Sequence, residues 1–177
     1  MIFLQTKLSG VFEIQLEPST DERGFFARSW CREEFEREGL NPSLVQCSIS
    51  FSSKKGTLRG MHYQTGPYGE AKLVRCTNGA IYDVALDMRP HSATFMQWIA
   101  AELTATNRNA LYIPEGCAHG FLTLQDESEV FYQMSEFYHP EAARGVRWDD
   151  PAFNIVWPGF LQVISDRDRT YADFNPR

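Results

Sequence analysis

The sequence has no CxxC pair, no apolar run near the roughly 20 residues that span a bilayer, no long Pro/Gly/Ser linker and no repeat of solenoid period. Each absence removes a class of protein. Cys31, Cys47, Cys76 and Cys117 are too scattered for a disulfide framework or a zinc knuckle, so they read as reduced thiols, most of them packing residues. The opening "MIFLQTKLSG" holds too short an apolar stretch for a signal peptide, which makes a soluble, cytoplasmic protein the expectation. Positive charge is also scarce: 17 Lys and Arg face 23 Asp and Glu, a net charge of −6. That balance argues against a general binder of phosphate backbones, so neither nucleic acid nor a membrane is an expected partner. A local group of arginines could still hold one anionic ligand. At 177 residues and 43% hydrophobic content, the chain can build one core and not two, so residues 1–177 are expected to form a single domain.

What the chain does have is aromatic residues, 14% of the total, set in segments that look like strands. In "LVQCSISFS", Val45, Cys47, Ile49 and Phe51 alternate with Gln46, Ser48 and Ser50, the period of a strand with one apolar and one polar face. In an open sheet the polar face would meet water; inside a small barrel it would line a ligand cavity. Further strands are expected at 72–76, 80–88, 95–103, 110–114, 120–124 and 129–135, separated by turn signals such as Thr77-Asn78-Gly79 and Arg89-Pro90. Short strands at about dozen-residue spacing are the rhythm of an all-β sandwich or jelly roll. One short helix is expected in "CREEFEREG", stopped by Gly39 with Pro42 beyond, and another after Ser165.

Four histidines could do chemistry, and their settings differ. His91 follows Arg89-Pro90 and His139 precedes Pro140, which reads as loop placement. His62 lies in "GTLRGMHYQ" and His119 in "IPEGCAHGF". The latter has a P-x-G-x-x-H form that resembles the second half-motif of cupins, small jelly-roll barrels that often bind a metal. A metal-binding first half-motif wants H-x-H and a nearby Glu, whereas His62 is followed by Tyr63 and Gln64, and Glu70 lies too far along a Gly/Pro-rich loop. Two histidines fall short of a zinc or iron ligand set, so no metal is expected. Histidines free of metal suit proton transfer near neutral pH, best when a carboxylate holds the other ring nitrogen; Asp83, Asp87, Asp166 and Asp168 are the candidates.

Taken in order, "RGFF", "LRGMHYQ", "KLVRC", "IYDVALDMR", "SATF", "IPEGCAHGF", "RGVRWDDPAFNIVWP" and "SDRD" resemble the dTDP-4-dehydrorhamnose 3,5-epimerase family, over about residues 10–170. The resemblance implies an all-β, cupin-type jelly-roll barrel with short flanking helices. It implies a homodimer that uses no cofactor or metal and inverts centres beside the C4 ketone of a nucleotide-diphosphate 4-keto-6-deoxy sugar. By resemblance, His62 is the base, Asp168 its orienting carboxylate, Lys72 the support for the enolate and Tyr132 the acid on the opposite face. Arg23 and Arg59 match phosphate contacts, Gln46 and Ser48 fall where the nucleotide is touched, Tyr138 where a ring stacks on the base, and His119 lines the pocket.

Some positions depart from the family's pattern. Arg28 stands where many relatives carry a glutamate, and Cys47 and Ser48 where they often show Asp and Asn. If Arg28 meets the base edge, an acceptor has become a donor and a carrier such as CDP enters consideration; otherwise Arg28 faces solvent or pairs with a nearby Glu. The competing readings are a 3-epimerase acting on such a sugar, a ketoisomerase of the same fold, a non-catalytic cupin that binds a sugar nucleotide, and a metal-dependent oxygenase.

Overall fold

The computed structural model describes residues 1–175, and antiparallel ladders account for nearly all of its regular structure. The strands are β1 (Ile2–Gln5), β2 (Phe12–Gln15), β3 (Ser19–Asp21), β4 (Gly24–Phe26), β5 (Gln46–Ser52), β6 (Thr57–Gln64) and β7 (Lys72–Asn78). The second half adds β8 (Ala80–Asp87), β9 (Trp98–Thr104), β10 (Ala110–Ile113), β11 (Cys117–Thr123), β12 (Ser128–Met134), β13 (Ala143–Gly145) and β14 (Val163–Ile164). Two short helices, α1 (Arg32–Arg37) and α2 (Asp166–Arg169), flank them, which bears out the all-β class with short flanking helices. The strand expected at 95–103 starts at Trp98 instead, because Phe95 and Gln97 donate backbone hydrogen bonds to Ser92 and Thr94 in a tight turn.

Two sheets face each other. One has the order β1-β2-β10-β7-β12-β5; the other runs β13-β6-β11-β8-β9, with β14 added in parallel beside β6. Between them lies a core that includes Val74, Cys76, Ile81, Ala85, Leu111, Phe121 and Val130. These residues alternate along their strands with outward-facing ones, the pattern of two sheets packed face to face. Burial pushes the Cys76 thiol up to about 11 and the Cys117 thiol up to about 12, so both stay protonated packing groups near neutral pH. Among the described residues, no helix is long and apolar enough to cross a membrane.

The outer faces of the two sheets are treated differently. Over the sheet built from β13, β6, β11, β8 and β9 with β14, the chain folds back on itself, packing Phe153, Trp157 and Leu161 on Met61, Leu58, Leu86 and Leu122. Over the sheet that runs from β1 to β5, called six-stranded below for its unbranched order, α1 covers only one half, where Phe35 sits on Ile14, Leu73, Ala110 and Tyr112. The other half, on β12 and β5, is bare: Ile49 is 64% exposed, and Val45 and Phe51 are exposed too. Arg75 shares that face, in register with Phe131, which is itself in register with Ile49. Its Nε and Nη2 are buried with no partner among the described residues, and burial lowers its pKa.

Candidate active site

A cavity of about 350 Å³ opens between the two sheets at one end of the barrel. From the six-stranded sheet come Gln46 and Ser48 of β5, Lys72 of β7 and Tyr132 of β12; from the other sheet come Arg59 and His62 of β6 and His119 of β11. The polar face of β5 thus points inward, while its apolar face is the bare one. Tyr138, just past β12, stands at the rim, exposed.

Arg59 and His62 are three residues apart, and on a regular strand they would point to opposite faces. A bulge resolves this. Against β11, His62 pairs with His119 and Arg59 with Phe121, so β6 uses three steps where β11 uses two. Gly60 sits at the bulge with φ +125°, and a Cβ there would lie 2.5 Å from the Gly120 Cα. Only a glycine pair lets the strands approach that closely, which is the local reason for the glycines in "RGMH" and "AHGF".

Each inward histidine is held by its own aspartate. His62 Nε2 and Asp168 Oδ1 are 2.6 Å apart, and the Gly60 amide donates to Asp168 Oδ2 at 3.2 Å. Asp168 lies on α2, whose first turn is capped by the Ser165 hydroxyl accepting from the Asp168 amide at 3.1 Å. Burial alone would raise the Asp168 carboxyl, but its contact with His62 and the hydrogen bonds from Gly60 and Ser165 hold it below the usual carboxylate range. Next door on β11, His119 Nε2 lies 2.7 Å from Asp83 Oδ1. In both rings Nδ1 is the nitrogen left over for other work.

Lys72 Nζ donates to the His62 carbonyl at 3.3 Å and forms an ion pair with Glu70 at 3.2 Å, which fixes the ammonium within the cavity. Burial raises the Tyr132 phenol well above its ordinary value, and the Asp83 charge adds to that while Arg59 opposes it. The phenol therefore stays protonated and can donate. A base-capable ring on one sheet and a phenol on the other, with an ammonium between, is a two-sided proton-transfer geometry.

Two of the expected contacts are elsewhere. Arg23 lies at the turn of the β3–β4 hairpin, 84% exposed and bonded to Asp21, and it does not line the cavity. Arg28 pairs with Glu34 of α1 at 2.9 Å, also away from the cavity. His139 lies in a loop, as expected, with its ring stacked on Tyr68 and the centroids 3.8 Å apart. Sequence reasoning passed over Glu70, which holds Lys72 and was weighed only as a metal ligand, and Arg167, which lines the cavity beside Asp168 in "SDRDR". It also passed over Tyr171, whose ring packs edge-on against His62. Among the described residues, no three His, Cys, Asp or Glu side chains converge as a metal cluster would require.

Comparison with known proteins agrees with this geometry. The family model described as dTDP-4-dehydrorhamnose 3,5-epimerase matches residues 5–175. A protein of that name from Shigella flexneri is 43% identical over 169 residues, covering 95% of this chain and 93% of the relative. A crystal structure of dTDP-4-dehydrorhamnose 3,5-epimerase from Bacillus anthracis with TDP and PPi bound superimposes with a TM-score of 0.93 at 36% identity, covering 98% of this chain and 99% of that one. A 3'-monoepimerase from Streptomyces bikiniensis, in complex with dTDP-quinovose, reaches 0.87 at 30% identity, covering 95% and 85%. A match over almost the whole length, joined to the paired histidines and the facing tyrosine, makes this chain a member of the dTDP-4-dehydrorhamnose 3,5-epimerase family.

Proposed function

We propose that this protein is a cofactor-independent epimerase that inverts C3, C5 or both in a nucleotide-linked 4-keto-6-deoxy sugar. The observation that carries the proposal is the cavity with His62 on one sheet and Tyr132 on the other. A proton beside a ketone leaves when a base reaches it and the enolate oxygen is stabilised. His62, oriented through Nε2 by Asp168, takes the proton; Lys72 stabilises the enolate; His119 lines the pocket; Tyr132 delivers a proton to the opposite face. Inversion requires two sides, because one group acting as base and acid on one face would regenerate the starting isomer.

The diphosphate meets Arg59, which Ser52 and the Phe51 carbonyl hold in place, and the nucleotide extends past Gln46 and Ser48 toward Tyr138. The names and bound ligands of the relatives support dTDP as the carrier. Arg28 gives no support to another base, since Glu34 already takes up its guanidinium. Arg23 reaches a site only if a second copy supplies it, which joins its assignment to that of a homodimer; the bare half of the six-stranded sheet supports such a pairing. Four free cysteines fit a reducing cytoplasm.

The test is proton NMR in D2O with dTDP- and CDP-linked 4-keto-6-deoxyglucose. Deuterium entering C3 alone identifies a 3-epimerase, and entry at C3 and C5 a 3,5-epimerase, with the dTDP form the faster. No exchange with either nucleotide would overturn the assignment.

A further inference from the structure

Asp83 is a buried carboxylate that the barrel accommodates at a cost. It is fully buried on β8 at the edge of the apolar core, its Oδ1 meets His119, and its Oδ2 has no partner among the described residues. A half-satisfied buried carboxylate lowers stability, and an apolar residue of similar shape would be easier to accommodate. The fold does not call for it. What it touches is His119, buried to 4% exposure, whose ring meets Tyr132 edge-on with centroids 5.7 Å apart at 76°. The chain of contact therefore runs from Asp83 on β8 to His119 on β11 and across the cavity to Tyr132 on β12, on the wall facing His62.

We infer that Asp83 is a positioning residue: by fixing His119 through Nε2, it fixes the ring that holds Tyr132 in place for proton delivery. This rests on the assignment of Tyr132 as the acid. It separates two steps that a general loss of structure would damage together. With Asp83 gone, His62 and Asp168 remain intact, so the substrate proton still moves to His62 and exchanges with solvent. The enolate is then reprotonated by His62 on the face it left, which gives deuterium incorporation without inversion. A displaced Tyr132 loses the alignment on which transfer depends.

The experiment compares wild type with Asp83→Leu, which is apolar and cannot hold the ring, and Asp83→Asn, whose amide oxygen can. Rates of deuterium uptake and of inversion are read from the same NMR samples, and the histidine ring nitrogens are followed after ¹⁵N labelling. In Asp83→Leu, inversion is expected to fall roughly tenfold or more relative to exchange, with His119 changing from one tautomer protonated at Nε2 to a mixture. Asp83→Asn is expected to keep both the tautomer and the wild-type ratio. Equal losses of exchange and inversion in Asp83→Leu, or a wild-type His119 protonated at Nδ1 alone, would overturn the inference. If Asp83→Leu fails to fold, Asp83→Ser replaces it, its hydroxyl being too short to reach His119. Failure of the functional reading looks different: wild type itself would exchange no proton, while the ¹⁵N spectra would still report on Asp83.

Discussion

The two sheets contribute to one cavity but are finished differently on the outside. The sheet built around β6 and β11, which carries His62 and His119, is covered by the chain's own residues from Phe153 to Leu161. The six-stranded sheet, which carries Lys72 and Tyr132, is covered by α1 over one half and left bare over the other, with Arg75 unsatisfied in that region. The first is covered by its own chain, although Val156 and Phe160 of that cover are themselves exposed. The second has the composition of a surface that expects to be covered, since large apolar patches and orphaned buried cations are both rare on free surfaces. The proposed base thus stands on a wall that its own chain covers, and the proposed acid on a wall whose back a partner would complete.

The largest expected effects test the inner faces. His62→Ala removes the base from the sheet around β6 and β11 and is expected to lower solvent exchange and inversion together by about a thousandfold. Tyr132→Phe, on the other sheet, is expected to lower inversion by roughly a hundredfold while leaving exchange largely in place. Deuterium uptake and product stereochemistry in one time course check both. Equal loss of exchange in the two variants would remove the division of labour between the walls.

A smaller effect tests how firmly the sheet around β6 and β11 is anchored. Asp87 ends β8, fully buried, and accepts hydrogen bonds from Arg89, Ser92 and Thr94. Burial would raise its carboxyl, but those bonds prevail and hold it down to about 2. A group with a depressed folded pKa stabilises the fold above its ordinary pKa, and that contribution is lost as pH falls from about 4 through about 2. From an ordinary 3.8 to about 2, at about 1.4 kcal/mol for each pH unit, the contribution is roughly 2 kcal/mol. Asp87→Asn should lower denaturant stability by about that amount at pH 7, and the two proteins should converge near pH 2.

The sequence made the inner faces legible and the outer ones obscure, for a physical reason. Strand periodicity marks which residues alternate, and in β5 it separated Gln46 and Ser48 from Ile49 and Phe51. It does not say which set faces inward, and here the apolar set faces out. Asp168 reaches His62 across 106 positions of sequence, a contact that periodicity cannot reveal; family resemblance supplied it. β6 itself was hidden, because Gly60 breaks the alternation at the bulge that brings Arg59 and His62 to one face. β1 to β4 are three or four residues long, too short for a period to register.

The smallest expected effect falls on the bare half-sheet. Ile49 points away from the cavity, so Ile49→Asp leaves every proposed reacting group untouched while placing a charge in the surface that a second copy would cover. The expected result is a monomer by sedimentation, with kcat nearly unchanged and KM for the sugar nucleotide raised about tenfold, because Arg23 no longer arrives from the partner. Mixing separates supply in trans from a general loosening of the barrel. Arg23→Ala and His62→Ala are each impaired, but in a hybrid dimer one site carries His62 of one chain and Arg23 of the other. If Arg23 acts across the interface, the mixture recovers activity that neither variant has alone. If Arg23 acts within its own chain, or not at all, mixing recovers nothing and the bare half-sheet loses its link to the site.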